Sequence, residues 1–361
     1  YFKSSLNISF FTLISRIFGF IRDIVLAYKL GTSSLSDIFF VALKIPNFFR
    51  RIFAEGAFSQ AFVPLYNEIL VSKKDKEAMI FSNKIFFYLL ISLIAFCLLF
   101  ELFLPQFMTI FAPGFVGDSD KFASLVFYAR ITFPYIILIS LATFFNAILN
   151  SFKIFIPGSI LPIIYNLCLI IGALIFANIL QDIVLSLSIA LIISGLIQML
   201  FLFFYLRKIN IRIKPKRDVS VNHNIKKFWQ ILLPAIFASS IIQFNSWIDT
   251  IIASLIPNAV SYLYYSDRIN QLPLALIGIA LSTALLPSFS RSFANKNHKE
   301  LEASLSKTVL IGLYFSIPAM LGLFILSKEI ISTLFLRGEF DIQSATSTYQ
   351  MLAIYSTALP A

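Results

Sequence analysis

Long apolar blocks, among them Ile85–Phe103, Leu161–Ala177 and Ile183–Leu206, limit what this chain can fold into. Each reaches or approaches the ~20 residues that a helix needs to cross ~30 Å of hydrocarbon. The blocks do not alternate in polarity as the strands of a membrane barrel do. Charge is scarce to match: 58% of the residues are hydrophobic and 13% are charged. A soluble chain of this length needs roughly twice that charge to cover its surface. The fold class that follows is all-α, a polytopic membrane protein.

Window hydropathy predicts about ten spans: residues 6–30, 37–70 (broken), 78–104, 123–149, 157–177, 183–206, 228–256, 260–289, 305–326, and one from Ala345 still running at Ala361. Pro46 and Pro273 predict kinks or unwound turns in the second and eighth. Lysines and arginines gather in alternate loops, at 73–76, 153, 207–217 and 291–299. By the positive-inside bias those loops and the N-terminus are cytoplasmic. The net charge of +11 is thereby topogenic, and no nucleic-acid partner is expected.

Two stretches resemble each other. Ser36-Asp37-Ile38-Phe39-Phe40 matches Ser261-Tyr262-Leu263-Tyr264-Tyr265, and Ser59–Pro64 matches Ser282–Pro287, with Asp23 and Asp249 upstream of each. Six spans separate the copies, so the halves have parallel topology, a transporter design with its site between them. The expected domains are an N-lobe (1–206), a basic cytoplasmic linker (207–227) and a C-lobe (228–361).

The informative residues are charges at membrane depth. These are Arg16, Arg22 and Asp23 in span one; Asp37, Lys44, Arg50, Arg51 and Glu55 in span two; Asp249 in span seven; Asp267 and Arg268 in span eight. Each costs about 2.5–3.5 kcal/mol near a helix centre, so each must pair or line water, and each is a functional candidate. Arg16, Gly19 and Asp23 share a helical face, because seven residues are nearly two turns. Arginine keeps its proton everywhere and its fork suits phosphate oxygens, so several in one cavity point to a diphosphate ligand. The alternative for Asp37, Lys44 and Asp249 is a buried ion pair that locks packing; for Arg51 and Arg130 it is snorkelling to a headgroup.

Other signals are weaker. Cys97 and Cys168 read as small apolar residues, and His223 and His298 lie in polar loops. Asp118-Ser119-Asp120 imitates a glycosyltransferase D-x-D, but no nucleotide fold surrounds it. No P-loop, zinc site or catalytic triad is present, so no enzyme and no cofactor is expected.

With these residues in hand, the chain resembles the MurJ/MviN family of lipid II flippases in the MOP exporter superfamily. The carrying motifs are Ser15-Arg16-Ile17-Phe18-Gly19-Phe20-Ile21-Arg22-Asp23 and the run Lys44–Pro64, supported by Ala112-Pro113-Gly114-Phe115 and Tyr264-Tyr265-Ser266-Asp267-Arg268. The resemblance implies two pseudo-symmetric six-helix lobes around a cationic central cavity, with two further helices forming a groove for the lipid tail. It implies an inner-membrane protein that carries lipid II (undecaprenyl-diphosphate disaccharide-pentapeptide) to the outer leaflet by alternating access, as a monomer among membrane lipids. Arg16, Arg22, Asp23, Arg50 and Arg268 then correspond to substrate-binding positions. Asp37, Glu55 and Asp267 correspond to gating or cavity charges, and Asp249 to a cation site, since some relatives use sodium or membrane potential. The competing expectation is a related exporter of another lipid-linked oligosaccharide or of drugs. The chain begins with Tyr1 and stops inside the tenth span, so an N-terminal trim is expected, the second lobe is incomplete, and this stretch alone is not expected to transport.

Overall fold

The computed structural model describes residues 2–72, 75–215, 223–294 and 298–360; the side chains of 2–8, 53–56, 75, 223, 242, 279–294 and 298–300 lie outside that description. All regular structure among the described residues is helical. In chain order come α1 (Phe2–Leu30), α2 (Ser34–Phe49), a π-helical segment (Arg50–Phe58), α3 (Ser59–Val71), α4 (Asp75–Leu102), α5 (Leu104–Phe111), α6 (Ser119–Thr132) and α7 (Tyr135–Ser151). Then follow α8 (Ile156–Ile171), a short π turn (Gly172–Phe176), α9 (Ala177–Leu180), α10 (Ile183–Lys208), α11 (His223–Ser254), α12 (Ala259–Ala294), α13 (His298–Ile325), α14 (Ser327–Phe335) and α15 (Ile342–Ser356). Among the described residues six runs are long and apolar enough to cross a membrane: Lys76–Leu102, Ser119–Ser151, Ile156–Leu180, Ile183–Lys208, Asn224–Ser254 and Leu301–Ile325.

The helices form two compact units, Tyr1–Leu26 with Ser34–Pro257, and Ala27–Ser33 with Asn258–Ala361. Contacts therefore group α11 with the first unit, whereas the lobe boundary drawn from sequence opens the second half at 228. In the first unit α10 packs on α7 and α8, α2 on α6, and the π-helical segment on α7 and α11. Phenylalanine fills this core. The ring of Phe100 stacks on Phe133 at 4.0 Å and on Phe107 at 4.3 Å, and Phe111 lies 4.3 Å from Trp247. Each such pair contributes about 0.5–1.5 kcal/mol beyond its buried area.

Helix α2 stays α-helical through Pro46, and the predicted break falls after Phe49, where π geometry begins. Proline has no N–H, so the carbonyl four residues earlier, on Ala42, loses its helical donor. Thr132 of α6 replaces it: its buried hydroxyl lies 3.1 Å from the Ala42 oxygen. Asn47 bonds back to the Leu43 carbonyl at 2.8 Å, and the helix continues from Arg50 in π geometry. At Pro273 no such break forms; α12 runs on without an unwound turn.

In the second unit α12 packs against α13 and α15, and the Ser266 hydroxyl donates to the Thr348 carbonyl at 3.0 Å. The end of α1 is clasped to the segment before α15. The Glu339 N–H donates to the Tyr28 carbonyl at 2.9 Å, and Thr32 Oγ1 bonds Ser344 Oγ at 2.6 Å. Gly31 and Gly338 sit there at φ of +56° and +61°, and a Cβ on either would overlap the backbone across the clasp. Only glycine takes both demands without strain. Two short helices, α5 and α14, occupy stretches that the sequence left as loops. The tenth span ends at Ser356 and passes into a turn before Pro360, which disfavours helix in the residue ahead of it.

Two predictions follow from this packing. Thr132→Val keeps shape but orphans the Ala42 carbonyl; it should cost about 1–3 kcal/mol in detergent unfolding, and Thr132→Ser should recover most of that. Asp341 caps α15 through the side chain and N–H of Ser344, and these bonds hold its carboxyl below the ordinary value of 3.8. The stabilisation is complete above that value and is lost as pH falls through the lower folded one. The protection factor of the Ser344 amide, its exchange relative to an unstructured amide at the same pH, should fall in that acid window and be unchanged between pH 5 and 7.

Candidate functional site

The membrane-depth charges sort by their surroundings. Arg22 and Asp23 are buried, at 6% and 4% exposure, whereas Arg16, on the same helix, is exposed. Arg22 reaches sideways to its neighbour: Nη2 lies 2.6 Å and Nε 3.0 Å from Asp23 Oδ1. Its Nη1 donates to Asn166 Oδ1 on α8 at 2.9 Å, and its Cζ lies 5.5 Å from the centre of the Tyr165 ring. Carboxylate, amide and aromatic face together hold one guanidinium. The Gly19 face meets Asn166, since a Cβ there would touch its amide at 3.5 Å.

Asp37 is fully buried, 3.1 Å from the ammonium of Lys121 on α6, which also stands 3.9 Å over the Phe115 ring. Lys44 donates to the Ser246 carbonyl at 2.6 Å and to the Thr250 hydroxyl, so it ties α2 to α11. Arg50 bonds Asn47 Oδ1 at 3.1 Å at the mouth of the π-helical segment. Glu55 lies on that segment, and its side chain is outside the described residues. Asp249 is exposed on α11. In the second unit Asp267 and Arg268 are half-buried; Gln271 donates to Asp267, and the Arg268 Cζ lies 4.9 Å from the Tyr264 ring centre. The acidic Asp118 of the D-x-D look-alike is the N-cap of α6, accepting from the Lys121 N–H at 3.0 Å.

A sodium ion needs several oxygens around it. Among the described residues no three His, Cys, Asp or Glu side chains converge, at Asp249 or elsewhere.

Comparison with known proteins now bears on this arrangement. The family model described as "Lipid II flippase MurJ" matches residues 26–361. The chain belongs to the lipid II flippase MurJ family. It is 39% identical to a probable lipid II flippase MurJ of Rickettsia prowazekii (strain Madrid E), over all of this chain and 70% of that protein. With a probable lipid II flippase MurJ of Rhizobium meliloti (strain 1021) it shares 38% identity, over 97% of this chain and 66% of the relative. The solved structure of lipid II flippase MurJ in an inward closed conformation superposes with a TM-score of 0.81 at 30% identity, covering 98% of this chain and 72% of that one. An inward-facing multidrug resistance MATE transporter of the MOP superfamily superposes at 0.72 with 15% identity over 96% of this chain and 78% of its own, and so shares the fold. The chain is thus an all-α, multi-pass membrane protein of the lipid II flippase MurJ family.

Sequence reasoning missed Asn166, Tyr165 and Lys121 as partners of the site charges. Asn166 had a signal: a lone amide within an apolar block, four residues after Pro162. Lys121 had none, since it reads as an ordinary loop lysine. Removing it tests the pairing. Lys121→Met should strand the buried Asp37 carboxylate and cost about 3–5 kcal/mol of stability, while Lys121→Met with Asp37→Asn should regain most of it, as read from melting curves in detergent.

Proposed function

We propose that this chain moves lipid II across the bacterial inner membrane by alternating access, binding its diphosphate head through arginines and making or breaking no covalent bond. Membership of the MurJ family supports the substrate, and the site chemistry supports how it is held. The observation that carries the reading is the buried Arg22 of α1, braced on three sides by Asp23, Asn166 and Tyr165. A guanidinium is costly at such depth and is a functional candidate by default. Arg16, exposed on the same helix, and Arg50, beside the π-helical segment, add donors of the same kind. Arg268, backed by Tyr264, is the candidate of the second unit.

Asp23 keeps the resting site near neutral. A diphosphate then competes with a carboxylate for guanidinium protons, so binding exchanges one charge-assisted contact for another. Such an exchange suits a transporter, which must release its cargo as readily as it takes it. Asp37 and Asp267 are charges that shape this environment. The N-terminus is taken as cytoplasmic from the basic loops, and the working unit as a single chain.

In cells carrying the full protein, Arg22→Ala, Arg16→Ala and Arg268→Ala should each lower the rate at which lipid II becomes accessible to an externally added head-group-cleaving enzyme. The loss of one charge-assisted contact corresponds to about ten- to a hundredfold. Unchanged protein levels with wild-type rates in all three variants would remove the proposal.

A further inference from the structure

We infer that Asn166 is a positioning residue for Arg22: it fixes where that guanidinium stands without cancelling the charge that a diphosphate must meet. The inference rests on the reading that Arg22 binds the head group. Asn166 is buried on α8, at 5% exposure. Its two amide atoms have separate partners, because Nδ2 donates to the Ser15 carbonyl of α1 at 3.2 Å and Oδ1 accepts from Arg22 Nη1 at 2.9 Å. A backbone carbonyl can only accept, so the amide has one orientation, with its oxygen on Arg22. Ser15 and Arg22 are seven residues apart, nearly two turns, and lie on one face of α1. One side chain therefore spans from the backbone of that helix to the head of its arginine.

Neutrality is what distinguishes this partner. Asp23 already takes Nε and Nη2. A second carboxylate at position 166 would keep the same shape and the same acceptor, yet it would flank the guanidinium with two anions. At low dielectric that extra charge repels a phosphate strongly. It would also face the Ser15 carbonyl with no proton to offer. Alanine removes this acceptor from Nη1, so the guanidinium is held from its own helix but no longer from α8 by the amide. The amide does the holding at no cost in charge, and Tyr165, next along α8, supports the ring-facing side at 5.5 Å.

The test uses the full protein in detergent and a polyprenyl diphosphate as probe, with melting curves run alongside. Asn166→Ala should weaken binding about tenfold, the value of one hydrogen bond to a charged group. Asn166→Asp, which preserves shape, should weaken it more than Asn166→Ala does. In an Arg22→Ala background, read at higher probe concentration, Asn166→Ala should add little further loss, because its effect runs through Arg22. A purely structural asparagine predicts the reverse, with Asp tolerated at least as well as Ala and with losses that add to those of Arg22→Ala; either result overturns the inference alone. If Asn166→Ala does not fold, the comparison of Asn166→Asp with the wild type, in both backgrounds, carries the same decision. Wild-type affinity in Arg22→Ala itself would remove the head-group reading and this inference with it.

Discussion

Hydrocarbon offers no hydrogen bonds, so every polar group carried to membrane depth must find its partner within the chain. The described structure answers that demand at several points where the sequence breaks an apolar run. A proline orphans the Ala42 carbonyl, and Thr132 takes it. Half-buried Lys44 lies on a helix carbonyl and a threonine hydroxyl. Asp37 has Lys121. These are separate solutions to one problem, and together they tie α2, α6 and α11 into one body.

Within that economy the arginines stand apart. Lys44 and Asp37 are consumed by their partners and hold helices together. Arg22 pairs with the carboxylate of Asp23 on its own helix and adds a neutral amide and an aromatic face. Arg268 likewise rests on a tyrosine. A cation braced in this way is retained at depth while its guanidinium stays chemically useful.

The helices were legible because apolar length is a strong signal, and the charged positions because a charge in such a run is conspicuous. The partners were harder. Asn166 and Thr132 are ordinary polar residues whose importance depends on which helix faces them, and hydropathy says nothing about facing. Glycine 31 and Gly338 each read as turn residues, yet what fixes them is the backbone lying across the clasp, more than 300 residues apart in sequence. The short helices α5 and α14 were missed because each is too brief to register in a span-length window. Lys44 reads from sequence as either a working or a structural charge, and its contacts with α11 favour the second.

The π-helical segment has a consequence for how this chain can change. An α-helix turns each residue by about 100°, so a continuous helix keeps a fixed phase between its two ends. A wider turn inserted between α2 and α3 shifts that phase. Losing a single residue from 50–58 would leave both flanking helices intact while swinging the buried side of α3, with Phe62 and Leu65, toward a different neighbour. For this stretch, then, length is under stricter control than identity: substitutions act locally, whereas one deletion works like a frameshift written in three dimensions.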